Sequence, residues 1–350
     1  MKILFALPLL ITTFFAQGFA EELDFSNVSK GPLADMRNFN DFLTHTGQAL
    51  NETDRTFREG VFKSSKNSVD AGNKAFAKGV VKFQSAINIF AGRTLEELVR
   101  ELTGRKRSPE ADALTAAKRT LFVIPDDLPI PDAFDWREKG GVTPVKDQKS
   151  CGSCWAFATT GAIEGHTFAA TGKLPNLSEQ NLVDCGPKED FYLNGCDGGC
   201  QESALCWISD SQKGVSLSEK YPYVNDQESC KFQPSQLGAH VHGFGVIPPG
   251  DEELMKKVVA TLGPIACSIS LAESLFLYAS GVYDDEECED YEIIHSILVV
   301  GYGSEKGLDY WIVKNSWDDI WGEGGYFRLE RGKNRCQIAE ECSFPLITPL

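Results

Sequence analysis

Gln148-Lys149-Ser150-Cys151-Gly152-Ser153-Cys154-Trp155-Ala156-Phe157 decides the reading of this chain, because it places a cysteine at a turn that opens an apolar helix. The free N–H groups and dipole of a helix N-terminus favour a thiolate there. A nucleophilic thiol also needs a base. His295 sits in the strand-like run Ile293-Ile294-His295-Ser296-Ile297-Leu298, and Asn315 follows in Lys314-Asn315-Ser316-Trp317. An imidazole beside the thiol would take its proton, and an amide on the other ring nitrogen would hold the imidazole's tautomer and orientation. The Gln148 side chain with the Cys154 backbone N–H would supply donors to an oxyanion.

Working outward, the 350 residues exceed what one hydrophobic core usually organises, and 42% hydrophobic with 24% charged residues is ordinary globular composition. Residues 1–20 carry one cation, Lys2, then an apolar stretch, then Gly18 and Ala20 ahead of Glu21 and Glu22. That predicts a secretory signal peptide cleaved after Ala20, too short to span a bilayer. Eleven cysteines in an exported chain predict disulfides, and the odd count leaves at least one thiol free. Asn27, Asn51 and Asn176 begin N-x-Ser/Thr sequons, so surface glycans are expected.

Charge is unevenly divided. Residues 1–129 hold 17 Lys+Arg against 16 Asp+Glu, a net of +1, which leaves 17 against 34, or −17, for residues 130–350. Nucleic acid and anionic membranes are thereby unlikely partners for the C-terminal part, whereas basic substrates and acidic compartments suit it. Before it, residues 22–100 lack cysteine and contain helix-compatible stretches such as 54–77, and Thr94 precedes Glu97 in a capping pattern. Residues 104–129, with Arg105-Lys106-Arg107 and a proline-rich tail, predict an extended, protease-accessible linker. Beyond residue 132 a helical half, 154–208, precedes a half of short β-branched runs separated by glycine. His240 and His242 alternate along one such run with no cysteine or acidic partner nearby, which is a structural pattern, and no metal is expected. The acidic run Asp284 to Glu292 reads as a solvated loop, with the further expectation that it raises the pKa of nearby His295 or recruits basic substrates.

Cys151-Gly152-Ser153-Cys154-Trp155 matches the C-G-[SA]-C-[WY] signature, and the chain resembles the papain and cathepsin L family of cysteine proteases. His295 lies 141 residues and Asn315 161 residues beyond Cys154, the latter slightly later than the ~130–150 of that pattern. Asp135-Trp136-Arg137, Leu177-Ser178-Glu179-Gln180, Gly195-Cys196-Asp197-Gly198-Gly199, Gly301-Tyr302-Gly303 and Trp317 to Trp321 follow in family order. Upstream, Asp54, Arg58, Phe62, Ser65, Val69 and Asn73 fall at the spacing of the family's inhibitory propeptide helix. Asn88 and Phe90 echo its next motif, with Ala86 and Gly92 where Gly and Asp are usual; loss of that Asp bears on the acid trigger.

The resemblance implies an α+β, papain-like two-domain fold, helical on the left and β-barrel-like on the right, preceded by a helical propeptide at 21–129, with the mature domain at 130–350. It implies a cysteine endopeptidase made as a zymogen, with catalytic Gln148, Cys154, His295 and Asn315, no cofactor, and peptide substrates. Its own propeptide and cystatin-type inhibitors are the implied partners, a monomer the implied state, and lysosome or extracellular space the implied destination. Endopeptidase rather than exopeptidase action is expected because only ten residues separate Cys185 from Cys196, too few for a cleft-blocking insertion with paired histidines. The implied bridges are Cys151–Cys196, Cys185–Cys230 and Cys288–Cys336, with Cys154 free and Cys200, Cys206, Cys267 and Cys342 open to three pairings. Gly198 and Gly199 let a substrate backbone approach closely. Cys200, Ser268, Ile293, Ser296 and Glu341 match positions lining the pocket for the second residue before the scissile bond, and a carboxylate at its base would accept Arg or Lys. Trp317 would cover the Asn–His contact. The rival reading, a catalytically weak binding or inhibitory protein on the same fold, is disfavoured by the presence of all four catalytic residue types.

Overall fold

The computed structural model describes residues 38–120, 122, 124, 125 and 127–347; the expected signal peptide and the Asn27 sequon lie outside the described residues. The N-terminal region opens with α1 (Phe39–Thr46) and α2 (Glu52–Ala77), followed by a short strand β1 (Phe83–Ser85) and two further helices, α3 (Leu95–Leu102) and α4 (Pro109–Lys118). Local chemistry starts each helix. Asn51 accepts the Asp54 N–H ahead of α2, and Thr94 and Glu97 form a reciprocal capping box ahead of α3. Ser108 caps α4 with Pro109 in its first turn, so the extended linker expected over 104–129 is replaced in its middle by a helix. Asn51 and Asn176 are both exposed.

The larger domain begins with β2 (Phe134–Asp135) and continues through α5 (Cys154–Thr171), α6 (Glu179–Cys185), α7 (Lys188–Phe191) and α8 (Gln201–Trp207). Then come β3 (Gly214–Ser216), β4 (Leu237–Ile247), α9 (Glu252–Thr261), β5 (Ile265–Ser270), α10 (Glu273–Phe276) and β6 (Tyr278–Tyr283). Strands β7 (Ile293–Glu305), β8 (Leu308–Lys314), β9 (Tyr326–Glu330) and β10 (Cys342–Ile347) complete the chain. The sheet runs β1-β6-β9-β8-β7-β5-β10-β4-β3, with β2 beside β7. One core gathers α5, α6, α8 and the start of β4 around Trp155, Leu182 and Phe244; the other fills the sheet around Trp311, Trp321 and Phe327.

Helix α5 lies between them and is buried along residues 154–167, a helix apolar nearly all round, as an interior helix should be. Two glycines permit its close seat. A methyl at Gly161 would stand 2.8 Å from Leu298 of β7, and one at Gly165 would stand 2.5 Å from Pro264. Strand β7 is buried on both faces from His295 to Gly303, which is why it reads as a continuous apolar run rather than an alternating one.

The N-terminal region is docked by the same forces that fold the domain. β1 pairs antiparallel with β6, Phe83 meets Tyr283 at 4.6 Å between centroids, and Phe90 stands edge-on to Trp317 at 5.7 Å. Asn88 Nδ2 donates to Phe276 O at 2.7 Å. At position 92, where the resemblance calls for Asp, a side chain would strike Phe42 at 2.8 Å. Gly92 instead lends its carbonyl to Arg58 at 3.2 Å, and Glu97 accepts two bonds from the same guanidinium.

Burial pushes the Glu97 carboxyl up, but hydrogen bonds from Arg58 and Thr94 outweigh it and hold the group below its ordinary 4.5. A depressed carboxylate stabilises the fold above that value, and the contribution is lost as pH falls through the folded value. Arg58→Ala should therefore cost roughly 2–4 kcal/mol, between an exposed and a fully buried ion pair. In limited proteolysis across a pH series, the variant's N-terminal region should be released at a higher pH than that of the wild type.

Candidate active site

Cys154 is the first residue of α5, whose N-terminus has no side-chain cap and no acidic residue in its first turn. Ser153 O takes the Ala156 and Phe157 N–H groups at 2.8 and 3.3 Å, while a hydrogen bond from the Trp155 N–H favours the thiolate of Cys154. The Ser296 N–H donates to Cys154 Sγ at 3.4 Å, which places the thiol against β7 one residue from His295. His295 Nε2 meets Asn315 Oδ1 at 2.9 Å. An amide oxygen only accepts, so Nε2 carries the proton and Nδ1, which has no hydrogen-bond partner, is left basic. Trp317 tilts over the imidazole at 4.9 Å between centroids, and its Nε1 donates to Leu102 O at 3.2 Å.

Gln148 is fully buried and held at both ends. Ser316 Oγ donates to its Oε1 at 2.6 Å and its Nε2 donates to Cys151 O at 3.0 Å, so the amide nitrogen faces the Cys151–Cys154 turn. The structure therefore brings Gln148, Cys154, His295 and Asn315 together from three separate stretches of chain. Ser316, which orients Gln148, carries no signal in the sequence beyond its place in Asn315-Ser316-Trp317.

Chain from the N-terminal region fills the cleft. The Gly104 and Arg105 N–H groups donate to Ile294 O at 3.2 and 3.0 Å, Lys106 N donates to Gly199 O at 2.8 Å, and Gly199 N donates to Gly104 O at 2.8 Å. The Arg105–Gly199 bridge is parallel. Only glycine fits at 104, since a methyl there would overlap Gly152 O at 1.9 Å. Gly198 holds φ +116, and a side chain on it would meet Gly104 O at 2.5 Å.

Under this cover, burial pushes the Cys154 thiol up to about 11 and pulls His295 down to about 4, against the Asn315 hydrogen bond. Burial thus outweighs the hydrogen bonds to the sulfur and the ring and favours the neutral form of each group. The acidic loop does not reach the imidazole: Glu286 and Glu289 pair with Arg335, and Asp284 accepts the Lys82 N–H.

Around the neighbouring pocket, Arg105 forms an ion pair with Glu341, and its Nη1 donates to Ile293 O at 3.4 Å. Ser268 and Ser296 are joined by Gln201, whose Nε2 donates to Ser268 Oγ at 2.8 Å and whose Oε1 accepts from Ser296 Oγ at 2.9 Å. Sequence reasoning passed over Gln201, although it follows Gly198-Gly199-Cys200 directly. Cys200 is buried at the start of α8.

Four bridges form: Cys151–Cys196, Cys185–Cys230, Cys288–Cys336 and Cys267–Cys342. The last follows from β5 and β10 lying side by side with Cys267 opposite Cys342. Cys200 and Cys206 stay reduced with Cys154.

The papain family cysteine protease profile matches residues 130–346. Cathepsin L of Sarcophaga peregrina is 42% identical over 313 residues, covering 87% of this chain and 91% of that protein. Digestive cysteine proteinase 1 of Homarus americanus is 40% identical over 293 residues, covering 83% and 88%. Digestive procathepsin L 3 of the Tenebrio molitor larval midgut superposes with a TM-score of 0.79 at 35% identity, covering 88% of this chain and 97% of that one. The chain belongs to the papain family of cysteine proteases, and its N-terminal region is propeptide-like.

Thiol titration checks the cysteine assignment. The unfolded, unreduced protein should yield 3 reactive thiols, and the folded precursor, in which all three are buried, should yield none on the same timescale.

Proposed function

We propose that the chain is the precursor of an exported cysteine endopeptidase, with residues 21–129 as its inhibitory propeptide and 130–350 as the mature enzyme. The observation that carries this reading is the Gly104 crossing. An extended peptide already lies over Cys154, entering at Leu102 under Trp317 and leaving past Gly199 toward α4. A cleft that accommodates chain on both sides of the nucleophile suits endopeptidase action. The parallel pairing at Gly199 supports a non-productive direction for this segment, so the propeptide occupies the cleft without being turned over.

Departure of the propeptide readmits water to Cys154 and His295 and relieves the burial that keeps them neutral. The proton then moves from Sγ to Nδ1, and the uncapped start of α5 stabilises the thiolate. Attack on a substrate carbonyl forms the C–S bond, and the oxyanion takes N–H donors from Gln148 Nε2 and the Cys154 backbone. As the C–N bond breaks, His295 returns its proton to the leaving amine. A water deprotonated by His295 then attacks the thioester, releasing the acid and regenerating the thiol. Asn315 keeps Nε2 protonated throughout, so Nδ1 remains the nitrogen that exchanges the proton. Peptide and protein substrates, cystatin-type inhibitors, a monomeric state and a lysosomal or extracellular site complete the proposal.

Acid treatment of the purified precursor, with mass spectrometry and an epoxide or iodoacetamide label, tests it. Expected are a new N-terminus near Ile130, modification of Cys154 and loss of peptidase activity on labelling; a folded product that neither labels nor cleaves peptides between pH 4 and 7 would sink the reading. Glu341→Gln should lower kcat/KM about 10- to 100-fold for peptides with Arg at the second position before the cleaved bond, the worth of one charged hydrogen bond. Unchanged basic selectivity in peptide-library profiling would rule out that role for Glu341.

A further inference from the structure

Arg105, Arg107 and Arg119 of the N-terminal region converge on two carboxylates of the larger domain. Arg107 Nη1 lies 3.2 Å from Glu341 Oε1, the oxygen that also pairs with Arg105, and Arg107 Nη2 lies 3.8 Å from Glu202 Oε2. Arg119 completes the set, with Nε 2.8 Å and Nη2 2.7 Å from Glu202 Oε1. Glu202 sits in the first turn of α8, is only 6% exposed, and finds every cationic partner among residues 107–119. Glu341 Oε2 is buried with no hydrogen-bond partner at all. No cation of residues 130–347 is within ion-pairing distance of either carboxylate among the described residues. Once the N-terminal region leaves, two adjacent carboxylates at the cleft face outward with nothing to neutralise them, and the groups that fit them are already known from the occupant: guanidinium ions.

The geometry points to Glu202 as a second specificity residue, selecting substrates with a basic side chain at the fourth position before the cleaved bond alongside a basic or apolar one at the second. This inference rests on the peptidase reading given above. Its spacing comes from the occupant. In an extended chain, residues i and i+2 face the same side, and Arg105 and Arg107 do so here, both reaching Glu341 while Arg107 extends to Glu202. A substrate running the opposite way along Gly199 presents its second and fourth residues at that same separation. Its fourth residue would take the place of Arg107, whose remaining partner, Asp112, departs with the N-terminal region.

Four internally quenched peptides test this on the acid-matured enzyme: Leu or Arg at the second position, crossed with Gln or Arg at the fourth. The readout is the ratio of kcat/KM for Arg over Gln at the fourth position. It should be about tenfold in the wild-type enzyme, as expected for a desolvated charged contact. It should fall toward one in Glu202→Gln and below one in Glu202→Arg. Should neither variant mature, the wild-type ratio alone decides, because a charge-based preference must also shrink as salt rises from 0.05 to 0.5 M. A wild-type ratio near one, or a ratio that Glu202→Gln leaves in place, overturns the inference and leaves Glu202 as an anchor for the N-terminal region only. Failure to cleave any of the four peptides would instead strike the peptidase reading beneath it.

Discussion

The cleft depends on a buried set of charges beneath it. Lys146 Nζ reaches Glu164 Oε1 at 2.9 Å and Glu179 Oε1 at 2.6 Å, joining the segment ahead of α5 to α5 and α6. Thr143 Oγ1 donates to Glu164 Oε2 at 2.6 Å and accepts from Lys314 Nζ at 3.1 Å, while that ammonium also donates to Thr143 O at 2.7 Å. Burial opposes the Lys146 charge, but the two carboxylates more than offset it. Lys314, with no carboxylate in direct contact, is pulled down by burial to about 8. Such a set is satisfied only when both halves of the molecule are in place, since removing Lys146 would leave two buried carboxylates without their cation at a cost of about 3–5 kcal/mol. Because Lys314 is followed directly by Asn315, the anchor that ties β8 to the helical side also fixes the amide that holds His295.

Given that anchoring, His295 and Gln148 keep their arrangement through contacts that the Gly104 segment does not make. Asn315, Ser316 and Gln148 are bonded within the larger domain, so the imidazole and the Gln148 amide are positioned independently of the N-terminal region. What the Gly104 segment changes is access of water to the sulfur and the ring. Burial pushes the Cys154 thiol up and the His295 imidazole down, so covering the pair disfavours its charged form, and relieving that burial moves the two toward each other. Inhibition by coverage is therefore also inhibition of the ion pair. It asks for no distortion of the catalytic geometry.

Legibility in the sequence followed the range of the interaction. Short-range chemistry was readable: Thr94 with Glu97, the apolar run after Cys154, and the Asn315-Ser316-Trp317 turn all act within a few residues of themselves. Helix α4 was missed although Ser108-Pro109 is a helix start, because the flanking basic residues read as an exposed linker until their carboxylate partners, up to 236 residues away, were in view. The Cys267–Cys342 bridge depends on β10 lying beside β5, and Gln201 matters only because Ser268 and Ser296 are brought to it by different strands. Gly92, standing where the resemblance calls for Asp, bears on the acid trigger. Phe42 leaves no room for a side chain there, and a carboxylate beside Arg58 is supplied by Glu97 instead.

The division of charge, +1 before residue 130 and −17 after it, acquires a spatial meaning from these contacts. Arg105, Arg107, Lys118 and Arg119 project from one short stretch onto Glu341, Glu202 and Asp210, so attraction between the two parts is concentrated along the cleft and α8. Hydrogen bonding from Lys118 holds the Asp210 carboxyl below its ordinary 3.8, against a smaller burial effect. By the same linkage as Glu97, its contribution to docking is present above that value and lost as pH falls through the folded one. Acid thus weakens the inside of the N-terminal region through Glu97 and, through Asp210, its grip on the segment just beyond α8. The apolar contacts of Phe83 and Phe90 do not titrate and persist. Release in acid should accordingly loosen α4 and the Arg105–Arg107 stretch before β1 leaves β6, opening the cleft from its Gly199 end.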